Sequence, residues 1–244
     1  MTAIRVLPDA AALADAAARH VVESAQSAIQ ARGAFSIALS GGSTPRELHR
    51  RLAGPLKNEV DWSKVHVFFG DERCVPPDHP DSNYRMADET LLAQVPIPSD
   101  HVHRMQGELP PEEAALRYEQ QLRAFFGNEP PRLDLILLGM GDNGHTASLF
   151  PGLTAVHEQT HWVMAENVPE VGMWRITLTP YVINLGREVL FLVAGAGKAS
   201  MLRSVLEGPF APDERPAQIV RPSPGEVVWL VDAAAAAELS PPPG

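Results

Sequence analysis

The chain has 244 residues, 45% of them hydrophobic and 20% charged, a balance that fits one large folded domain or two small ones and argues against wholesale disorder. Thirty acidic residues against 20 basic ones leave a net charge of −10, and only Lys57, Lys64 and Lys198 are lysines. Such a chain is a poor general binder of nucleic acid or anionic membrane, so an anion has to be met in a local pocket. A single cysteine, Cys74, excludes an internal disulfide framework and a Cys-rich zinc site and points to the cytoplasm. No apolar run has the length of a signal peptide or a membrane span.

Residues 4–7 read as a short strand. Asp9 is placed to cap a following helix, whose Leu13, Ala17, Val21, Ala25 and Ile29 recur at fourfold spacing as one apolar stripe, and Gly33 is placed to end it. Residues 35–39 form an apolar run of strand length, followed by Gly-Gly-Ser-Thr at 41–44 and Pro45 at an expected first helical position. Residues 65–69 read as the next strand, a Pro-rich loop follows, and a helix is expected over about 84–92. Residues 112–126 read as a helix and 133–138 as a buried strand. Further strands are expected at 162–165, 189–193 and 227–231, and further helices at 198–206 and 233–239. The Pro-rich residues 240–244 read as a frayed tail. Buried strands alternating with helices predict an α/β fold, a three-layer α/β/α arrangement around a mostly parallel, Rossmann-like sheet, formed by residues 1–244 as one domain.

In such folds ligands sit beyond the carboxyl ends of the strands. Four loops start there. In the first, a strand empties into Gly41, Gly42, Ser43 and Thr44 and then a helix start, so that backbone N–H groups, hydroxyls and a positive helix end converge on one spot suited to a phosphate. In the second, Asp71, Glu72 and Arg73 follow a buried strand, where charges are costly unless paired or functional. A local Arg–carboxylate pair would also explain them. Cys74, beside Arg73, lacks the partners a thiol nucleophile needs.

The third loop, residues 138–148, contains Gly139, Gly141 and Gly144, which spell GxGxxG after a strand, with Glu166 downstream in place of a ribose-binding acid. A dinucleotide fold needs an unbroken helix after the third glycine, and Pro151-Gly152 interrupts it. The glycines instead bring backbone close to a small ligand and present His145, a candidate general base. The fourth loop, residues 194–198, ends in Lys198, whose position converges with the first loop as a phosphate ligand. Residues 157–161 match the HExxH pattern of zinc proteases, but the motif needs a multi-turn helix and this stretch lies between Pro151-Gly152 and a strand. His101 and His103 share a strand face without an evident third ligand. No metal or cofactor is expected.

Five segments in order carry a resemblance: Ser-Gly-Gly-Ser-Thr-Pro45, Gly-Asp-Glu-Arg73 with Val-Pro-Pro77 and Asp-Ser-Asn83, Gly139 through Pro151, Arg-Ile-Thr-Leu-Thr179, and Ala-Gly-Ala-Gly-Lys198. Together they resemble the 6-phosphogluconolactonase family, collinear over about residues 39–230. The resemblance implies a sugar-phosphate isomerase-like α/β fold and metal-free hydrolysis of 6-phospho-D-glucono-1,5-lactone to 6-phosphogluconate. The partner it implies is a small phosphorylated sugar lactone; from the charge balance no nucleic acid or membrane partner is expected, and the chain is expected to be a monomer or small homo-oligomer. On this reading His145 is the general base and Arg73 stabilises the oxyanion, while Asp71 and Asn143 hold Arg73 and His145 in place. Gly41, Gly42, Ser43, Thr44, Arg175 and Lys198 take the phosphate.

The chain departs from the family at Asn143, where an Asp is usual; Asp142 or Asp71 could then orient the His. Cys74 stands where an aromatic residue is common. The related glucosamine-6-phosphate deaminases carry an acid five positions after the loop His, where this chain has Phe150, which favours the lactonase. A non-enzymatic sugar-phosphate sensor is a third reading, but such proteins usually carry a DNA-binding domain, for which the first 35 residues leave no room.

Overall fold

The computed structural model describes residues 2–240. Strand β1 (Thr2–Leu7) leads into α1 (Ala10–Arg32), β2 (Phe35–Leu39), α2 (Ser43–Ala53), β3 (Val65–Phe69), β4 (Asp71–Arg73) and α3 (Asn83–Thr90). Then follow α4 (Pro111–Phe126), β5 (Leu135–Leu138), β6 (Val163–Val168), β7 (Met173–Leu178), α5 (Pro180–Leu185), β8 (Glu188–Val193), α6 (Ala199–Glu207) and β9 (Glu226–Asp232).

Six strands form one parallel sheet in the order β1-β9-β8-β5-β2-β3, flanked by helices. Every residue of β2 and β5 is buried, as strands covered on both faces require. The one polar residue of β2, Ser36, is satisfied by Asp134, which accepts from its backbone N–H (2.8 Å) and hydroxyl (2.9 Å). α1 starts where Asp9 accepts from the Ala12 N–H at 2.8 Å and ends at Gly33, whose φ of +84° is left-handed. Its buried face is Leu13, Ala14, Ala17, Ala18, Val21, Val22, Ala25 and Ala28, and the small alanines let the helix approach its neighbours closely.

The sheet changes direction at its centre. From β2 the chain moves to β3 on one side, whereas β5 is followed in the sheet by β8 on the other. The crevice between the carboxyl ends of β2 and β5 is therefore the topological switch point, where open α/β sheets bind ligands.

Several expectations are corrected. The strand expected at 162–165 forms as β6 but lies outside the parallel sheet: it pairs antiparallel with β7, and β7 with β4, as a separate three-stranded sheet. β6 is only partly buried, so it cannot take a central parallel position. Pro45 is the third helical residue rather than the first, because Gly42, at φ +109°, already serves as the N-cap of α2. The expected helix over 84–92 ends at Thr90 and continues as a 3-10 turn, Leu92–Gln94. No helix forms over 233–239. Asp232 accepts from the Ala235 N–H (2.7 Å) as a helix cap would, but the run is turns, too short to sustain a helix before the prolines that follow. Of the expected frayed tail, Ser240 is instead pinned to Glu207 through its N–H (2.7 Å) and hydroxyl (3.0 Å); residues 241–244 lie outside the described residues.

Candidate active site

The second sheet leans over the switch point and supplies charge to it. In β4 alternate residues share a face, so Asp71 and Arg73 point the same way, and the antiparallel register sets them opposite Thr177 and Arg175 of β7. Like charges directly opposite in an antiparallel pair are destabilising. Burial pushes the Arg175 guanidinium below its ordinary pKa, Arg73 adds to this, and Asp71, Glu72 and Asp81 oppose it. The buried Nε atoms of both arginines lack a hydrogen-bond partner among the described residues. A pair of guanidinium groups with spare donors is a local cationic site on an acidic chain.

Below them is a cleft of about 330 Å³ lined by Gly41, Gly42, Asp71, Arg73, His145, Arg175 and Lys198. That volume lies at the small-metabolite end of the usual range of ~300–1,000 Å³. Ser43 and Thr44, in the first turn of α2, do not line it; the approach to the cleft is made by the glycines before them. Asn143 stands one step behind the lining, against His145.

His145 is presented by a strained turn. Gly144 has φ +80° and Ala147, a non-glycine, φ +47°. Gly141 must be glycine because a Cβ there would lie 2.1 Å from the imidazole Cε1 and Nδ1. The ring stacks on Phe150 with centroids 4.0 Å apart and planes 18° from parallel. Asn143 Oδ1 accepts from the His145 backbone N–H at 3.1 Å and lies 2.7 Å from Nδ1. A carbonyl oxygen can only accept, so Nδ1 carries the proton and Nε2 carries the lone pair. Burial pushes the imidazole below its ordinary value of 6.5; Lys198 and Arg175 act the same way, and Asp71 and Glu170 oppose.

The carboxylates are arranged differently from the sequence reading. Asp71 does not hold Arg73. It accepts from Ser148 Oγ (2.6 Å) and Asn83 Nδ2 (3.3 Å), while Arg73 donates to the Asp81 carbonyl. Neither Asp142 nor Asp71 hydrogen-bonds His145, since Asp142 pairs with Lys198 at 2.5 Å. Glu72 forms no Arg–carboxylate pair either. Buried, it accepts from the N–H groups of Arg73 (2.7 Å), Asn83 (2.7 Å) and Tyr84 (2.8 Å) and from Ser82 Oγ (3.0 Å), and so anchors the start of α3. Burial and then Glu72 push the half-buried Cys74 thiol up to about 11, which leaves no thiolate for nucleophilic attack at neutral pH.

The decoy motifs separate from the site. The Gly139–Gly144 loop is followed by a short bridge, Thr146 to Leu149, and a 3-10 turn, Thr154–His157, with no crossover helix. Glu166 accepts from the Ala155 N–H at 2.7 Å, a structural contact. His157 pairs with Asp213 (2.6 Å) and His161 with Glu158 (3.1 Å), so the HExxH histidines have separate partners. His101 and His103 stack on His66, at 3.9 and 5.7 Å between centroids. Among the described residues no cluster of three or more His, Cys, Asp or Glu could hold a metal ion.

Residues 8–229 match the model of the family described as glucosamine-6-phosphate isomerases/6-phosphogluconolactonase. A 6-phosphogluconolactonase of Nostoc sp. is 43% identical over 242 residues, covering 97% of this chain and 98% of that one. The chain belongs to the glucosamine-6-phosphate isomerase/6-phosphogluconolactonase family. Within it, a Synechocystis 6-phosphogluconolactonase is 44% identical over 218 residues, 88% of each chain. The solved 6-phosphogluconolactonase of Trypanosoma cruzi superposes with a TM-score of 0.86 at 30% identity, covering 99% of this chain and 98% of that one.

Four further residues stand at or beside this cleft and were not assigned a role from sequence. Ser40 Oγ and Asn83 Oδ1 are buried at the cleft without a partner, Ser148 holds Asp71, and Glu170 accepts from Asn143 Nδ2 at 2.8 Å. Ser40, Asn83 and Ser148 had a sequence signal, as members of the segments that carry the resemblance. Glu170 had none, because it reaches Asn143 across 27 residues of chain.

Proposed function

We propose that the protein is a 6-phosphogluconolactonase, a hydrolase that opens 6-phospho-D-glucono-1,5-lactone to 6-phosphogluconate. The observation that carries this reading is the placement of one imidazole, with Nε2 bearing the lone pair, in the same cleft as Arg73, Arg175 and Lys198.

A δ-lactone is an activated ester, so its hydrolysis needs a base for water and positive partners for the carbonyl oxygen. Neutral His145 takes a proton from water through Nε2 as the oxygen attacks C1, a contribution of about 10²–10⁴-fold in rate. The same proton is then delivered to the departing ring oxygen, which regenerates neutral His145. Arg73 stabilises the oxyanion. The phosphate rests on the Gly41–Gly42 turn at the start of α2, with Arg175 and Lys198 supplying charge. Each charged hydrogen bond is worth about 1.5–3 kcal/mol, and together they hold C1 within reach of the base. The exposed Asp142 carboxylate that Lys198 now meets is a weak competitor for a dianionic phosphate. Asn83 Oδ1 and Ser40 Oγ offer polar contacts to sugar hydroxyls.

Phe150 supports the lactonase over a ring-opening deaminase: the position beside the imidazole is filled by an apolar ring that cannot exchange protons. No helix among the described residues is long and apolar enough to cross a membrane. The lone thiol suits a reducing, cytoplasmic setting.

The test is lactone hydrolysis, coupled to a 6-phosphogluconate readout and corrected for spontaneous opening, run beside deamination of glucosamine 6-phosphate. Turnover of the first alone supports the reading, and turnover of the second alone refutes it. Activity that EDTA abolishes and zinc restores refutes the metal-free mechanism.

A further inference from the structure

The usual carboxylate partner of the loop histidine is absent from this chain, and the structure offers another. Asn143 stands between two groups: its Oδ1 accepts from His145 Nδ1 at 2.7 Å, and its Nδ2 donates to Glu170 Oε2 at 2.8 Å. We propose that Glu170 is a positioning residue for His145, acting through the Asn143 amide. The inference rests on His145 being the base of the proposed lactonase.

A neutral amide alone orients an imidazole but stabilises its protonated form weakly. A carboxylate on the far side of the amide polarises it, because chained hydrogen bonds strengthen one another. The Oδ1 that faces Nδ1–H then becomes a better acceptor for the imidazolium that forms as water attacks. The other nearby acids are committed elsewhere, Asp142 to Lys198 and Asp71 to Ser148 and Asn83. Lys198 and Arg175 face the ring from the cationic side, and Asp71 and Glu170 offset them.

Location adds a second function. Glu170 lies in the 3-10 turn Pro169–Val171 that joins β6 to β7, and the adjacent Val171 lines the cleft. The Glu170–Asn143 bond therefore straps the tip of this hairpin to the His145 loop, so the rim of the cleft and the base are held as one unit.

The test is a double-mutant cycle with Glu170→Gln and Asn143→Asp. Glu170 is exposed, so its effect is modest: Glu170→Gln is expected to lower kcat about two- to fivefold with KM unchanged, and to move the acid limb of kcat/KM to lower pH. In the Asn143→Asp background the sign reverses. There two carboxylates face each other, and Glu170→Gln relieves the repulsion and donates an amide N–H, so kcat rises. Equal losses in both backgrounds, or no change in kcat and acid limb, overturn the proposal.

A second readout does not depend on turnover. The ¹⁵N shifts of His145 should report the Nδ1–H tautomer in the wild type and a mixture in Glu170→Gln. An unchanged tautomer population in Glu170→Gln overturns the proposal even if the wild-type protein hydrolyses another substrate. A wild type that is inactive on the lactone but shows the tautomer shift overturns the lactonase reading alone.

Discussion

Arg73 and Arg175 sit directly opposite one another in the antiparallel register of β4 and β7, two like charges on one face above the cleft. A fold stabilised by this pair would be unexpected, whereas a fold that tolerates it in order to bind an anion is not. Inorganic phosphate should therefore raise the melting temperature, by the equivalent of about 2.7 kcal/mol at a hundred times its Kd. Arg175→Met should abolish most of that shift, leave the phosphate-free protein as stable as the wild type or more so, and raise KM for the lactone about 10- to 100-fold. Thermal scans with and without phosphate, beside steady-state kinetics, check all three. A phosphate shift that survives Arg175→Met places the anion elsewhere.

His145→Ala should lower kcat about 10²–10⁴-fold while the far-UV spectrum and KM change little. The pH dependence has a definite sign. Burial, Lys198 and Arg175 hold the imidazole below 6.5, so it is neutral and competent at neutral pH, and kcat/KM falls only as acid protonates it below that value. Phe150→Glu would place a carboxylate beside the stacked ring and favour imidazolium. The acid limb should then move to higher pH and the rate at pH 7 should drop. An acid limb that stays in place in Phe150→Glu would separate the limb from His145.

How much of this was legible in the sequence depends on the range of the interaction. The loops at 39–46 and 139–145 could be read because strand, glycines and polar side chains are adjacent in the chain, and the apolar runs at 35–39 and 135–138 are unmistakably buried strands. Of the second sheet only the strand at 162–165 was legible, and its antiparallel pairing was not. β4 is three charged residues, Asp71, Glu72 and Arg73, and nothing in their pattern says that they pair with residues 175–177. The same holds for three links at the site: Ser148 to Asp71 and Asn83 to Asp71 are tertiary contacts, and so is Asn143 to Glu170. Residues 233–239 misled in the opposite sense. A helix was expected there, but Asp232 caps only a run of turns over 233–238.

The GxGxxG string has a physical explanation that gives a sharp test. Gly139 meets nothing that a Cβ would strike, whereas a Cβ on Gly141 would overlap the His145 ring. Gly141→Ala should therefore displace the imidazole and cost at least 10²-fold in kcat without unfolding the chain. Gly139→Ala should be close to neutral. Equal losses at both positions would mean that the glycines serve the backbone turn and not the ring.

His49 offers a stability prediction away from the site. It is fully buried on α2, and its pairing with Thr90 defines its tautomer. The Thr90 hydroxyl donates to the Met86 carbonyl (2.6 Å), so it accepts from His49 Nδ1–H (3.0 Å), and Nε2 is left buried without a partner. Burial first, and Arg46 second, lower the pKa of His49 from 6.5 to about 3. The unfolded chain therefore takes up a proton below pH 6.5 that the folded chain refuses until about pH 3. Stability contributed by the neutral ring is present above 6.5 and is lost as the pH falls through that window, at about 1.4 kcal/mol per pH unit. His49→Leu should cost about 1 kcal/mol at pH 7, where the Thr90 contact is lost, yet flatten the decline between pH 6 and 4 by about one proton. Urea unfolding across that range measures both effects, and a decline as steep as that of the wild type would assign the acid sensitivity to other groups, the stacked His66 and His103 first among them.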